Sequence, residues 1–519
     1  MGAIHHAGRR LAAERQRSWC CPPADDRNVM PFRLSPAADH DSPPLLPSQN
    51  PWRIVLYALC IGAFLTGWKG AFPLDDSYIV LHSARSLLAG NHDTAYDTSP
   101  LTGATSSIHL ALVAALGTIM PLPLASLAIA AVSALVYALG LDQMVREAGA
   151  QGWKVPALVL LGLTAGGTPI NLFNGLETGL AMATTAWLFA LCDDRRLPVL
   201  AGMAPFVRPE LGLLSAILLL RAAWLHGAPI RTATISLLAA LPWMTWVWIE
   251  TGSLVPTTAA AKIAFYAEFG EPLEERIGAV LKALLKSGLL PLYAGIAGIS
   301  RVRGGWCGAL FIGAILTIAT VTLPSSVSWN YQRYLGPTVP ITVLWLSGFS
   351  GLRTGTLAYA LLGLYAAFNI GPAVKTLRSA EANNLANIAT LDAALRNLPP
   401  GSPILIHDAG IASWTHPEAR LIDVVGLKTP SSIDFHRKFT HHPCEIGPAL
   451  DRIARSSHAR FAVVSEVEFW SCTRTALEGQ GWRFVPMPQP MRGYYRLYRI
   501  EQPPALTPPV YSHPMPPPR

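Results

Sequence analysis

Charged residues are scarce in this chain. They make up 14% of 519 residues, whereas a soluble globular domain has roughly 25%. Hydrophobic residues make up 51%, and the mean hydropathy is +0.33. This balance excludes an ordinary soluble protein and predicts a polytopic α-helical membrane protein with a smaller soluble part.

Several functional motifs are also absent from the sequence. There is no glycine-rich phosphate loop, no Cys/His spacing typical of a metal site and no internal repeat. The net charge of +8 comes without a basic stripe interleaved with aromatic residues, so nucleic acid is not a predicted partner. Arg and Lys lie mostly in short loops between apolar runs, which is how membrane proteins set their orientation.

The seven cysteines do not form a disulfide framework. Cys60, Cys192 and Cys307 lie in or beside apolar runs and are predicted to be packing residues. Cys444 and Cys472 fall together in the C-terminal part. They can pair if that part faces an oxidising compartment, and the sequence leaves this open.

Composition divides the chain into four regions. Residues 1–50 show no apolar period and many Arg residues, which predicts a disordered cytoplasmic tail. Residues 51–375 form the predicted transmembrane domain, and residues 376–502 a small α/β domain. Its strands are predicted at the short apolar runs 404–406, 461–464 and 494–498. A Pro-rich tail, 503–519, is predicted to be disordered.

We predict about 11 transmembrane helices, beginning with 52–71 and including one span over 276–300. The apolar run 108–120 is short for a span, which needs about 20 residues. It therefore either crosses or stays at the interface within the first loop, about 72–121. Basic-loop bias favours the second choice, because the N-terminus and the later basic loops then share the cytoplasmic side. The C-terminal domain is then extracytoplasmic.

Another long apolar run, 197–224, is interrupted by Arg208, Pro209 and Glu210. One helix would bury two charges and a proline near the middle of the membrane, so we predict two short helices that meet at the outer face.

In this topology, five interruptions place polar residues at one membrane surface. They are the pair Asp75 and Asp76, Asn174 with Glu177, Arg208 with Glu210, Lys262, and Arg333 with Tyr334. Each group also has a structural interpretation: a helix cap, a capping box, an ion pair, a snorkelling lysine and an interfacial anchor, respectively.

Such a surface could support glycosyl transfer from a lipid-phosphate sugar. A carboxylate can act as general base on an acceptor hydroxyl, while Arg and Lys bind the departing phosphate. No nucleotide is needed, which suits a site on the extracytoplasmic side.

The ordered motifs resemble the GT-C superfamily of membrane glycosyltransferases, in particular the group of the mycobacterial terminal arabinofuranosyltransferase. The matching segments are 75–79 with Ala84 and Arg85, 175–178, 208–210, 256–258 with Lys262, 333–335, Asp408 with Gly410, 421–423, and Gly426 with Leu427. Two segments depart from the group's pattern. Thr257 stands where a relative usually has Asn, and 103–108 lacks the usual Asn and Pro.

The resemblance implies a bacterial inner-membrane enzyme with a polyprenyl-phosphate sugar donor and a cell-envelope glycan or glycolipid acceptor. Arabinofuranose is one candidate sugar. Asp75 or Asp76 is the expected base, and Arg208, Lys262 and Arg333 are candidates to bind the donor phosphate. The residues expected to position sugar or acceptor are Glu177, Glu210, Asn174, Tyr78 and Asp408. A divalent cation, Mg or Mn, held by Asp75 and Asp76 stays open.

Two other classes of function remain. A transporter or flippase for a lipid-linked envelope precursor would usually show internal repeats and charges near the bilayer midplane. An assembly or sensor protein would use the membrane part only as an anchor. His407 and Asp408 follow a predicted strand and suit either a turn or an acceptor-facing edge. His436, His441 and His442 are predicted to be exposed to solvent.

Overall fold

The computed structural model describes residues 50–90, 92–289, 293–350, 355–465, 471–488 and 493–502. Of the predicted tails 1–50 and 503–519, all residues except Asn50 lie outside the described residues. The long runs of Leu, Ala, Ile and Val form helices, because an α-helix satisfies its backbone N–H and C=O groups within the segment itself.

The first helices are α1 (Pro51–Leu65), α2 (Asp76–Leu88), α3 (Ser107–Gly117), α4 (Leu122–Glu147), α5 (Lys154–Thr164), α6 (Thr168–Phe173), α7 (Thr178–Ala190), α8 (Leu197–Val207) and α9 (Leu211–His226). They are followed by α10 (Pro229–Thr251), α11 (Thr257–Tyr266), α12 (Leu273–Lys286), α13 (Gly305–Thr322), α14 (Thr338–Ser347) and α15 (Gly355–Leu395). Within the described residues, α4, α10, α13 and α15 are long and apolar enough to cross a membrane. Seven further apolar helices are shorter, and the count of 11 crossings stays a prediction.

The short helix α3 does not carry the chain to the other end of the helical bundle. His109 Nε2 in α3 lies 3.4 Å from the carbonyl oxygen of Gly175. Ser126 in α4 donates to the same oxygen at 3.3 Å. The starts of α3 and α4 therefore lie close together at one end of the bundle, and the topology in which 108–120 does not cross stays a prediction.

Basic residues gather at the opposite end of the bundle. Asp142 pairs with Arg53 at 3.5 Å and with Arg146 at 2.6 Å. Asp193, just beyond the far end of α7, pairs with Arg221 at 2.5 Å. These pairs neutralise the acids that lie among the basic loops. Glu177, which precedes α7, lies at the other end of the bundle.

One predicted transmembrane span is wrong. The span predicted over 276–300 is not one helix, because α12 ends at Lys286 and a 3₁₀ segment occupies Ala294–Arg301. Helix α12 has five charged residues, three of them within the predicted span, and exposes a face of leucine and isoleucine side chains, which suits the membrane surface better than its interior. The predicted division at 375 lies within the continuous helix α15, and this division stays a prediction.

The C-terminal region forms a five-stranded sheet. Its strands are β1 (Pro403–Ile406), β2 (Arg420–Asp423), β3 (Phe461–Ser465), β4 (Arg483–Pro486) and β5 (Tyr495–Glu501), in the order β2-β1-β3-β5-β4. β1 runs parallel to β2 and β3, with Ile404 opposite Leu421, whereas β5 is antiparallel to β3 and β4. The helices beside it are α16 (Ala409–Thr415), α17 (Ser431–Phe439), α18 (Gly447–Ser456) and α19 (Ser471–Glu478).

The cysteines and histidines show one further difference from expectation. Cys60, Cys192 and Cys307 are free and buried, as predicted, and Cys444 forms a disulfide with Cys472. His436, however, is fully buried rather than exposed. Its two ring nitrogens lie within hydrogen-bonding distance of the Val424 carbonyl and the Thr440 hydroxyl, which offset the cost of burial.

Candidate active site

The two adjacent aspartates at the start of α2 have different partners. Asp75 occupies the N-cap position of α2, but its side chain makes no capping hydrogen bond to that helix. Its carboxylate instead accepts the backbone N–H groups of Gly410 and Ile411, each at 2.8 Å. It therefore closes the N-terminus of α16, where a carboxylate is favoured by the free N–H groups.

Asp76 turns the other way, toward the predicted phosphate-binding residues. Arg333 Nη2 lies 2.5 Å from Asp76 Oδ2, and Lys262 Nζ lies 3.7 Å from the same oxygen. Burial alone would raise the pKa of the Asp76 carboxyl, but the charges of Arg333 and Lys262 outweigh burial and lower this pKa to about 2. The carboxylate is thus ionised throughout the physiological range.

Tyr334 is the centre of the basic group. The cationic groups of Arg208, Arg333 and Lys262 lie 5.2, 5.2 and 6.0 Å from its ring centroid, within the range of cation–π attraction. Its hydroxyl also accepts hydrogen bonds from Lys262 and Arg333, each at 3.3 Å. The structure therefore brings together all three predicted phosphate-binding residues, although α8, α11 and the segment before α14 are far apart in sequence.

Glu177 and Glu210 complete this group. Arg208 is almost fully buried, and its Nε lies 2.7 Å from Glu210 Oε1 and 3.8 Å from Glu177 Oε1. The ion-pair interpretation of Arg208 and Glu210 is thus correct. Because α8 ends at Val207 and α9 begins at Leu211, the predicted break between two short helices presents this pair to the site.

Two predicted site residues lie elsewhere. The Tyr78 hydroxyl accepts a hydrogen bond from the Phe72 N–H at 3.0 Å inside an apolar cluster. The Asn174 side chain accepts from the Leu176 N–H at 2.9 Å and shapes the turn before α7. Neither side chain lines the cavities described below, so both serve local structure.

Three spaces meet at this group of charges. A cavity of about 430 Å³, here called the basic cavity, contains the following charged or aromatic lining residues: Asp76, Glu177, Arg208, Glu210, Lys262, Arg333 and Tyr334. A groove of about 1010 Å³, the apolar groove, runs between α8, α9 and α10. The groove and the basic cavity share the lining residues Thr105, Pro209, Val255 and Pro256, so an apolar space lies directly beside a charged one.

The third space, called the polar cavity, measures about 340 Å³ and lies on the other side of Asp76. Asp75 lines it together with His407 and Asp408, which follow β1. Ligands commonly bind beyond the carboxyl ends of parallel strands, and this is where the polar cavity lies. Asp76, Lys262 and Leu427 line both the basic and the polar cavity and so form the boundary between them.

A strained turn at residues 330–332 lies between side chains that line the polar cavity and a side chain that lines the basic cavity. Asn330, Tyr331 and Gln332 have left-handed φ angles of 48°, 61° and 56°, which are unfavourable for residues other than glycine. Trp329 and Asn330 line the polar cavity, whereas Arg333 lines the basic one. Asn171 Nδ2 holds the Tyr331 carbonyl at 3.0 Å.

Buried charges fix the first loop against the sheet region. Lys428 Nζ lies 2.7 Å from Asp93 Oδ2, and His82 Nε2 lies 2.7 Å from Asp93 Oδ1. All three side chains are essentially inaccessible. Burial would raise the pKa of Asp93, but hydrogen bonding to His82 and the charge of Lys428 hold it well below its usual range.

The sequence interpretation missed several residues of this site. The sequence analysis interprets Tyr334 as an interfacial anchor and gives no role to Trp329 or Tyr494, nor to Lys428, which holds the first loop beside the site. The position of Lys428 directly after the Gly426–Leu427 motif is the one signal in the sequence that could have indicated it. No short-range signal could have placed Trp329 or Tyr494 beside Asp75.

A divalent cation does not fit the described residues well. Among them no group of three or more His, Cys, Asp and Glu side chains is placed to hold a metal. Both oxygens of Asp75 accept N–H groups, and Asp76 has two cationic partners. We therefore derive no step through a metal.

Solved structures share the fold of this chain. The chain superposes on the crystal structure of ArnT from Cupriavidus metallidurans in the apo state with a TM-score of 0.53 and 12% identity, over 86% of this chain and 97% of that one. The ArnT structure bound to undecaprenyl phosphate gives 0.50 and 13%, over 87% and 98%. This protein has the fold of the GT-C membrane glycosyltransferases, as the sequence resemblance implied.

Three other comparisons complete these findings. The cryo-EM structure of the arabinofuranosyltransferase AftD from Mycobacteria has a TM-score of 0.46 and 15% identity, over 87% of this chain and 41% of that one. A family model described as "Domain of unknown function (DUF8728)" matches residues 375–502. The search among curated proteins finds no matching sequence.

Proposed function

We propose that this protein transfers a sugar from a polyprenyl-phosphate donor to a hydroxyl of a cell-envelope glycan or glycolipid. The observation that carries this proposal is that the apolar groove lies beside the basic cavity and shares four lining residues with it. A ligand that occupies both would combine a long apolar tail with a head group that Arg208, Lys262 and Arg333 can bind. A polyprenyl phosphate has this chemistry, and ArnT was solved with undecaprenyl phosphate bound.

The phosphate would lie among Arg208, Lys262 and Arg333. These cations already converge on Tyr334 within about 6 Å, so little rearrangement is needed to bind it. Preorganised cations stabilise the negative charge that grows on the phosphate as the sugar leaves. Glu177 and Glu210 hold Arg208 in place before the donor arrives.

The reaction requires a base on the acceptor side of the sugar. The acceptor oxygen forms a bond to the anomeric carbon, and the bond from this carbon to the phosphate oxygen breaks. The bonding electron pair leaves with the polyprenyl phosphate, and the hydroxyl proton passes to a carboxylate.

Asp75 suits the role of base better than Asp76. Burial and the nearby Asp408 carboxylate raise the pKa of Asp75, whereas that of Asp76 is about 2. A carboxylate with a higher pKa is the stronger base. Each Asp75 oxygen accepts one N–H group and keeps a second lone pair for the acceptor hydroxyl. Asp76 would instead align Arg333 and Lys262 at the boundary between donor and acceptor.

The finer features of the proposal follow the sequence resemblance. We propose that the site faces the extracytoplasmic side of a bacterial inner membrane, with the N-terminus in the cytoplasm. The sugar would be a pentofuranose such as arabinofuranose. Fusing topology reporters at Arg208 and Asp97 would test the orientation, because both fusions should report the extracytoplasmic side.

The proposal is tested with purified protein in nanodiscs, polyprenyl-phosphate sugars as donors and envelope extract as acceptor. Asp75→Asn should lower transfer by at least about 100-fold, the lower range for general base catalysis, and Asp76→Asn should lower transfer because Arg333 and Lys262 lose the carboxylate that aligns them. The control is Asp97→Asn, in the same loop, whose side chain is 94% exposed. Full activity of both variants would refute the proposal. Movement of intact donor across the bilayer without transfer would favour the flippase alternative.

A further inference from the structure

The polar cavity has no assigned ligand, and its lining differs from that of the basic cavity. It is bounded by the start of α2, the strained turn, and the residues that follow β1 and β2. The lining side chains that carry its chemistry are Asp75, Asp76, Asp408, Trp329, Tyr266 and Tyr494. At about 340 Å³, its size is near the lower end of the range for small-molecule sites.

The charge of this cavity is predominantly negative. Three carboxylates face it, and Lys262 is the one Lys or Arg among its lining residues. Lys262 is shared with the basic cavity, where Asp76 lies 3.7 Å away. Asp408 accepts a hydrogen bond from the Tyr495 hydroxyl at 2.6 Å, and its Oδ2 lies 3.3 Å from Nε2 of the buried His407, which also lines the cavity. A phosphate or carboxylate entering here would therefore be repelled.

The walls of the cavity are partly aromatic. Tyr266 and Trp329 pack with their ring centroids 4.5 Å apart and their planes at 51°. Tyr494 packs against Tyr495, with centroids 4.7 Å apart. Rings that are held in this way provide rigid apolar faces beside carboxylate and amide oxygens, so the cavity suits a ligand with both C–H faces and hydroxyl groups.

From this lining we infer that the polar cavity binds the acceptor as an uncharged sugar ring and selects against phosphorylated or acidic rings. The inference rests on the proposed function, since it identifies the substrate that would meet the donor at the Asp76–Lys262 boundary. A hydroxyl of that ring would donate to Asp75, and the ring faces would pack on Trp329 and Tyr494. Asp408 would be the residue that excludes anions.

Binding can be measured without catalysis. The probes are methyl glycosides of common pentoses and hexoses and the same glycosides carrying a phosphate monoester, titrated by saturation-transfer NMR with the full chain in nanodiscs. We expect at least one neutral glycoside to bind and its phosphorylated counterpart to bind at least about tenfold more weakly. Equal or tighter binding of the phosphorylated form, or no binding of any neutral glycoside, would overturn the inference.

Variants show whether the binding occurs in this cavity. Trp329→Ala should weaken neutral glycoside binding by about tenfold, whereas the control Trp306→Ala, exposed at 66%, should not. Asp408→Asn keeps an oxygen that can accept the hydrogen bond from Tyr495. It should reduce the difference in affinity between the neutral and the phosphorylated glycoside, whereas the control Asp434→Asn, at an exposed position, should not. Unchanged binding in Trp329→Ala would contradict the inference.

A separate titration with undecaprenyl phosphate distinguishes this inference from the proposed function. Arg333→Gln should lose that lipid, whereas Trp329→Ala should retain it. If the wild type does not bind the lipid, the proposed donor is wrong even where glycosides bind. If the lipid binds and neutral glycosides do not, the donor assignment holds and the acceptor inference fails.

Discussion

The Asp75 carboxylate accepts the backbone N–H of Gly410 at 2.8 Å, although 335 residues separate the two positions. Ten residues after Asp75, the Arg85 guanidinium donates to the Ser413 and Trp414 carbonyl oxygens at 2.8 and 3.0 Å. Helix α2 therefore holds α16 at both ends, with an acid at its N-terminus and a base at its C-terminus. Both charges complement the helix dipole.

Replacing Gly410 with alanine should disturb Asp75 directly. An added Cβ would lie 2.0 Å from the Asp75 carbonyl oxygen and 2.8 Å from its carboxylate, so the helices must separate. We expect transfer activity to fall by at least about tenfold, since a misplaced catalytic group of this kind can cost about 100-fold. Initial rates with saturating donor measure the effect.

The matched control for this variant is Gly479→Ala in the same region. A Cβ there meets other atoms only at 3.4 Å, an ordinary contact distance, so activity should remain near that of the wild type. Equal activities of the two variants would show that the contact between Asp75 and α16 is not needed for catalysis.

The low pKa of Asp76 predicts a loss of stability in acid. Because the folded-state pKa of about 2 lies below the usual value of about 3.9, the pairing contributes about 2 kcal/mol at neutral pH. This contribution is complete above about pH 4 and is lost as the pH falls toward 2. Thermal unfolding in detergent should show this loss in the wild type.

The difference between the wild type and Asp76→Asn isolates this effect from other titrating acids. Asp76→Asn should lack the decrease that the wild type shows between about pH 4 and 2, whereas the exposed control Asp434→Asn should retain it. Parallel pH profiles of wild type and Asp76→Asn would refute the assignment.

Lys428 should be needed for folding even though it lies outside the cavities. Lys428→Met would leave Asp93 buried with His82 as its remaining ionisable partner. Breaking a buried ion pair in this way typically costs about 3–5 kcal/mol, which is measurable as a lower unfolding midpoint. The exposed control Lys438→Met should have little effect.

The double variant Lys428→Met/Asp93→Asn tests the origin of that loss. Removing the Asp93 charge as well should restore part of the stability, because much of the free energy lost in Lys428→Met comes from leaving the Asp93 carboxylate buried without its cationic partner. A double variant that is as unstable as the sum of the two single variants would show that packing, rather than charge, makes Lys428 important.

The helical membrane class and the polar group at one surface could be predicted from the sequence because they depend on composition and charge placement. The break at Arg208–Glu210 was predictable for the same reason: proline and two charges are costly inside a membrane helix. The two short helices on either side of it, Leu197–Val207 and Leu211–His226, are observed.

The different partners of Asp75 and Asp76 could not be predicted. Adjacent residues at a helix start have the same local pattern, and their partners lie at Gly410 and Arg333, which only the tertiary fold brings near. The prediction of one span over 276–300 is wrong because the mean hydropathy of this window combines an amphipathic helix with the segment that follows it. The strained turn before Arg333 has no glycine to indicate it.

The apolar groove predicts selectivity for the length of the donor lipid. Ala240 in α10 lines the groove, whereas Leu238 lies on the same helix outside the lining and is 62% exposed. Ala240→Trp should fill part of the groove and raise KM for a long polyprenyl-phosphate sugar by about tenfold, with little change in kcat, because the charged residues of the site are untouched.

Leu238→Trp adds the same ring on the outer face and should leave both constants near the wild-type values. A short-chain donor, which does not reach Ala240, should be used equally well by all three proteins. A rise in KM for the short donor that matches the rise for the long one would place the lipid tail outside this groove.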